Sequence, residues 1–209
     1  MWNSLRLIFL FSLIFIVFIL LKIPTSKDKN YVYCKDLNFS KAKLLNINNF
    51  SAFKAEIEIS DWRRWQVINI KDLLNFEKFN QFTNRKRVKA ELLIKSVKDQ
   101  NINCKYDVMI RPHGDQKDHR EGNYLPSLQV KILESNLFGI TDFLLLRPQQ
   151  RGYFNEIFVT ALFRFTDMLA PRTSMVQIDF NNNNYKFIFQ EKIRKEFIEF
   201  SGYKEGPIL

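Results

Sequence analysis

The sequence is short of the residues from which most compact reactive sites are built. In 209 residues it has only two cysteines and two histidines. Cys34 and Cys104 stand far apart and outside any C-x-x-C spacing, so neither a zinc ribbon nor a redox motif is supported. Two readings of the pair stand: a disulfide, if the domain is exported into an oxidising compartment, or two isolated buried thiols. No internal repeat is visible, which removes solenoid architectures. Glycine is scarce, 6 residues against 21 phenylalanines, and this matches an AT-rich coding bias as much as structure. It carries little weight.

What is present describes a globular chain. Hydrophobic residues make up 46% and charged residues 26%, a composition that builds a packed core and leaves little room for disorder. The formal net charge of +10 suits nucleic acid, anionic lipid or a phosphorylated partner alike. Its one dense basic run, Arg85-Lys86-Arg87 with Lys89, opens an alternating segment and reads as a solvated face. No aromatic nucleic-acid module surrounds it, so nucleic acid is not expected as a partner.

From Leu7 to Leu21 only Ser12 interrupts an apolar run flanked by Arg6 and Lys22. As a helix it spans about 22 Å, short of the roughly 30 Å hydrocarbon core, and Trp2, Leu5 and Ile23 extend it. A signal-peptide h-region is the competing reading, but Lys22-Ile23-Pro24-Thr25-Ser26 has no A-x-A-like cleavage site. The run also lacks a polar face, which disfavours a buried core helix. The expectation is an uncleaved, single-pass membrane anchor with the domain outside the cytoplasm, followed by a linker. The lysines after the segment mildly oppose that orientation.

Along the domain, Ala52 to Ile59 alternates at period two and reads as a strand. Asp61 to Phe82 is aromatic and resolves into neither period, its tryptophans suiting core packing better than a membrane belt. Lys86 to Val97 and Asn103 to Arg111 form a hairpin, and Ser127 to Leu133 and Phe143 to Leu146 are further strands. Asn155 opens a helix to about Leu169 with Ile157, Phe158, Ala161, Leu162 and Phe165 on one face. Val176 to Phe180 and Tyr185 to Gln190 flank the turn Asn181 to Asn184, and a short helix runs from Lys192 to Phe200. The expected class is α+β: an N-terminal transmembrane helix, then an antiparallel sheet crossed by one helix. The expected division is 1–25 anchor or signal segment, 26–50 linker and 51–209 domain.

Both histidines fall within Arg111-Pro112-His113-Gly114-Asp115-Gln116-Lys117-Asp118-His119-Arg120. The donors suit a transition metal, but the spacing fits no zinc signature, and a polar loop whose charges pair with Lys117 and Arg120 or face water is the preferred reading. A glycine-containing turn followed by a strand with an inward lysine also matches the way a kinase sheet covers nucleotide phosphates. Lys131, between Val130 and Ile132, holds that position, and Glu156 is its expected partner if the helix from Asn155 crosses the strand. A solvated lysine on the outer face is the competing reading, and periodicity alone favours it.

Five blocks then carry a resemblance. Ile110-Arg111-Pro112-His113-Gly114-Asp115, Leu128-Gln129-Val130-Lys131-Ile132, Asn136-Leu137-Phe138-Gly139, Leu169-Ala170-Pro171-Arg172 and Phe189-Gln190-Glu191-Lys192-Ile193 together resemble the spore-coat CotH family, from about Met109 onward. The resemblance implies an atypical protein-kinase-like fold and ATP-dependent phosphoryl transfer to exported or surface proteins. It implies that Lys131 contacts phosphate, that the loop from His113 and Gly114 through Lys117 to Arg120 lies over ATP, and that Gln190, Glu191 and Lys192 sit near the adenine. Asp115 and Asp118 would repel phosphates unless Mg²⁺, Lys117 or Arg120 intervenes, which makes them the expected metal contacts. The chain stops at Pro207-Ile208-Leu209, soon after this last block, so the expected protein is a truncated or degenerate member, inactive in phosphoryl transfer. A non-enzymatic binding module for an envelope or surface assembly is the alternative.

Overall fold

The computed structural model describes residues 32–34, 53–74, 86–96, 103–114, 125–137 and 139–203. Among the described residues eight strands are formed: β1 (Val32–Tyr33), β2 (Phe53–Ile59), β3 (Val88–Ser96), β4 (Asn103–Pro112), β5 (Leu128–Ile132), β6 (Asp142–Leu146), β7 (Thr173–Phe180) and β8 (Asn183–Glu191). Three described α-helices accompany them: α1 (Trp62–Leu74), α2 (Asn155–Phe165) and α3 (Lys195–Phe200).

Alternation dictates the architecture. Along the strands alternate apolar residues point to the same side, as Ile57 and Ile59, Val88, Ala90, Leu92 and Ile94, and Tyr106, Val108 and Ile110 show. Neighbours pair in the order β4-β3-β2-β7-β8-β6-β5, and β5 then pairs with β4, so the ring of seven strands closes. Six junctions are antiparallel and one is parallel, β2 with β7, where Ala55 faces Ile178 and Ile57 faces Phe180. β1 lies outside the ring, parallel to the start of β4, whose far half pairs with β5.

The expected open antiparallel sheet crossed by one helix, as part of a kinase-like fold, is therefore corrected to a closed β-barrel. The reason lies in the apolar surface. Seven strands turn their inward rows on one another and complete a core without a covering layer, and closure removes both sheet edges. The interior is filled: the void bordered by Leu92, Ile94, Phe143, Leu145, Ile178 and Phe189 amounts to about 30 Å³ and is almost wholly apolar.

α2 lies on the outside of the barrel. Only Ile157 joins Leu144, Leu146, Ile188 and Met175 in a small external cluster, and Thr160 turns the same way. The apolar stripe predicted to be buried instead faces outward, with Phe158 67% and Phe165 86% exposed. α1 occupies the stretch that showed no clear period. Asp61 starts it by accepting a hydrogen bond from the Arg64 amide at 2.9 Å, and Trp65 plugs the core beside Phe180, their ring centroids 5.8 Å apart. The β7–β8 turn forms at Asn181 and Asn182, both left-handed, which asparagine tolerates and a two-residue hairpin loop requires.

Among the described residues no helix is long and apolar enough to cross a membrane. The longest, α1, has 13 residues, about 20 Å of helix against the roughly 30 Å needed. None of the described helices therefore supplies the expected transmembrane helix and single-pass placement. The segment Leu7 to Leu21 itself lies outside the described residues, as do the linker residues 35–50. Of the two readings of the cysteines, the disulfide is the one formed: Cys34 and Cys104 are bonded and fasten β1 to β4.

Candidate functional site

Seen from the sequence-predicted residues, the site divides. Lys131 is on the outer face of β5, exposed, in register with Asp142 on one side and Met109 on the other. Glu156 is in the first turn of α2, where it accepts a 2.6 Å hydrogen bond from Gln190 and lies 3.9 Å from the Arg151 guanidinium. Gln190 and Glu156 are thus brought together, but among the described residues no hydrogen bond or ion pair joins Lys131 to Glu156. Glu191 faces the other way and is buried in a two-point contact with Arg172, at 2.7 Å to each oxygen. The His113 amide donates to the Ser127 carbonyl at 2.7 Å, and Gly114 follows with φ 99°. Asp115, Lys117, Asp118 and Arg120 lie outside the described residues.

The kinase-sheet reading expects Lys131 to pair with Glu156 beneath a nucleotide. The described residues do not assemble it: the lysine is solvated on one strand and the glutamate is engaged on another network. No step through ATP or Mg²⁺ follows from that arrangement. Among the described residues there is also no group of three or more His, Cys, Asp or Glu side chains suited to a metal ion.

A different constellation does form, on the outer face where β4, β5, β6 and the end of β8 meet. Its centre is a buried polar chain. Gln129, fully buried, accepts a 2.7 Å hydrogen bond from Arg111 Nε and donates to both oxygens of Asp142 at 2.8 and 2.9 Å. Arg194, after β8, adds a 3.2 Å contact to Asp142 Oδ2, and the Lys192 amide donates to the Asp142 carbonyl at 3.1 Å. The register explains the gathering: Arg111 is opposite Gln129 in the β4–β5 ladder, and Val88 opposite Ile110 places Arg87 beside Arg111.

Charge is unbalanced there. The ammonium of Lys192 is pushed below the ordinary lysine range, first by burial and then by Arg194, Arg111 and Arg87, with Asp142 the one charge pulling it back. Of the cations there, Arg194 bonds Asp142 directly and Arg111 reaches it through Gln129. Arg87 Nε is buried with no hydrogen-bond partner among the described residues.

Sequence reasoning reached Arg87 only as part of a solvated run, Arg111 as the entrance to a loop, and Lys192 through the resemblance. Asp142, Gln129 and Arg194 were missed as a group. The available signal was parity: Arg87, Arg111 and Gln129 alternate with inward apolar residues at strand ends, so they share the outer face. Which strands neighbour one another is not encoded in that pattern. No protein-family model matches this chain, and no curated protein matches it.

Proposed function

We propose that the protein is a non-enzymatic binding module that holds an anionic partner, an exported or surface protein, on the outer face of its barrel. On this reading the blocks shared with the CotH pattern build strands and a polar girdle instead of a catalytic cleft. The observation that carries it is the network in which Arg111 holds Gln129, Gln129 and Arg194 hold Asp142, and Lys192 feels the charges of Arg87, Arg111 and Arg194. Among the described residues cations outnumber carboxylates there, and such a field draws an anion and orients it.

The test is binding of the full chain to a fluorescent glutamate-rich peptide, followed by anisotropy at rising salt. Affinity is expected to fall with salt and to fall again in Arg87→Gln and Lys192→Gln, while a neutral peptide of the same length does not bind. Binding that ignores both substitutions would refute the reading.

A further inference from the structure

We infer that α2 is a self-association face: two copies of the chain pair through the outward side of this helix. The inference is independent of the anion-binding reading and concerns another side of the barrel.

The placing of charge on α2 comes first. From Asn155 to Thr166 the only ionisable side chains are Glu156 and Arg164. Glu156 is held on the barrel side by its 2.6 Å hydrogen bond from Gln190 of β8. Arg164 shares the helix face of Ile157 and Thr160, the residues that turn to the barrel, and its Nε is out of solvent. The outward side is left neutral. Phe158, Leu162 and Phe165 form its ridge at the i, i+4, i+7 spacing of a helix–helix seam, flanked by Val159 and Phe163, and each of the five is at least 43% exposed. The ridge is also held in place. Ile157 seats the helix on Leu144, Leu146 and Ile188, and its last turn is closed by the Thr166 amide on the Leu162 carbonyl at 3.1 Å and the Met168 amide on the Phe163 carbonyl at 2.8 Å. Little ordering of backbone remains to be done on association.

Size decides what the face is for. Phe154 before the helix and Met168 and Leu169 after it are exposed as well, and with them the uncovered apolar surface comes to roughly 800 Å². The largest apolar patch on a typical monomer is about 300–600 Å², whereas a standard interface takes about 800 Å² from each partner. The face is oversized for a free surface and sufficient for one pairing.

Chemistry favours a second copy over a lipid surface. An interfacial helix needs a basic side of its own to meet head groups, and the side of α2 opposite the ridge is seated on the barrel instead. A second copy asks only for a face that tolerates its own image. A two-fold axis through the middle of the ridge sets Leu162 against Leu162 of the other copy and Phe158 against its Phe165, with no like charges brought together. Net charge then supplies a readout. The chain carries +10, so two copies repel at a distance while the neutral ridges attract at contact. Salt screens the repulsion and leaves the apolar contact, so pairing tightens as salt rises, the reverse of a contact with an anionic partner.

The experiment is sedimentation equilibrium of the full chain over a range of protein and salt concentrations. A monomer–dimer equilibrium that shifts toward dimer with salt is expected. Phe158→Ser and Leu162→Glu, both outside the described core, are each expected to weaken it about tenfold or more while circular dichroism of the dilute monomer stays unchanged. Lys89→Gln, exposed on β3 across the ring from α2, is the control and leaves the equilibrium unchanged in low salt within twofold. Mixing Leu162→Glu with Leu162→Lys is expected to restore the dimer that each lacks alone, because the axis sets residue 162 against its own copy; a mixture that stays monomeric overturns that pairing. A chain that is monomeric at about 100 μM, far above the dissociation constant of an ordinary stable dimer, overturns the inference. So does a dimer indifferent to both Phe158→Ser and Leu162→Glu. Co-sedimentation of a monomeric chain with phosphatidylcholine vesicles, abolished by the same two substitutions, assigns the face to lipid and also overturns it.

Discussion

Arg172 and Glu191 meet where β7 begins and β8 ends, the guanidinium giving two 2.7 Å hydrogen bonds to the two carboxylate oxygens with both side chains almost wholly out of solvent. The backbone repeats the connection, since the Glu191 amide donates to the Arg172 carbonyl at 2.9 Å. The resemblance implied a nucleotide role for Glu191. Its geometry is that of a structural clamp closing one end of the β7–β8 hairpin.

A buried pair of this kind penalises the loss of one partner far more than the loss of both. Arg172→Met alone, or Glu191→Leu alone, leaves a charge in the interior and is expected to cost about 3 to 5 kcal/mol. The double substitution is expected to recover most of that loss, because two apolar side chains can fill the same space. Urea denaturation of the four proteins in a double-mutant cycle measures it. Additive losses would show that the two residues do not act as a pair.

The disulfide acts at the opposite edge of the ring. β1 is a two-residue strand, too short to hold itself to β4, and Cys34 bonds Cys104 across 70 residues of chain. Lys105 reinforces the junction by lying over the Tyr33 ring at 4.8 Å and bonding Glu91 at 2.7 Å, the latter contact raising its basicity. Reduction, or Cys34→Ala with Cys104→Ala, is expected to destabilise the fold by about 2 to 4 kcal/mol through the entropy returned to the unfolded chain. The check is the urea midpoint with and without reductant. An unchanged midpoint would mean that the barrel does not need β1.

Much of the barrel's local structure is legible in the chain. The period-two rows at Ala52 to Ile59, Lys86 to Val97 and Asn103 to Arg111 fall on β2, β3 and β4, and the run of four asparagines falls on the β7–β8 turn. Alternation fixes which side of each strand faces inward. It does not fix which strands meet, and closure depends on two junctions between strands not consecutive in the chain, β2 with β7 and β6 with β8. The same blindness hid the cationic cluster, because Arg87, Gln129, Asp142 and Arg194 come together only once those strands are in order. In α2 the error was of another kind. Periodicity finds an apolar face but does not say whether the fold covers it, and Ile157 alone of the predicted stripe packs against the barrel.

That uncovered stripe gives a stability prediction. Phe158 and Phe165 contribute little to the described core, so Phe158→Ser and Phe165→Ser are expected to change folding stability by less than about 0.5 kcal/mol each. Ile157→Ala removes the residue that packs on Leu144, Leu146 and Ile188, and is expected to cost more than either of them. Thermal melts of the three variants give the order directly. A larger loss at Phe165 than at Ile157 would reverse the orientation of the helix on the barrel.

The alkaline limb of the stability curve tests the barrel interior through Tyr106. Its ring sits in the core, and burial pushes its phenol up to about 12 from an ordinary value of 10.0. Below pH 10 the phenol is protonated in both the folded and unfolded states, and its contribution is fully present. Between the two values the unfolded chain loses this proton while the folded chain keeps it. The folded state then binds more protons, and its stability falls as pH rises, by at most about 1.4 kcal/mol per pH unit. Lys192 works in the opposite sense: its basicity is lowered in the folded state, so the unfolded chain binds more protons in the window just below 10.5 and stability rises with pH there. The two contributions are separable by substitution. Tyr106→Phe is expected to reduce the loss above pH 10, with the remainder coming from Lys105, whose basicity is also raised in the folded state, and to leave the rise below it, whereas Lys192→Gln removes the rise and leaves the loss. Urea denaturation from pH 8 to 12, with tyrosinate absorbance followed in parallel, resolves both. An alkaline slope that is the same in Tyr106→Phe and in the parent chain would place that phenol in contact with solvent and contradict the closed barrel.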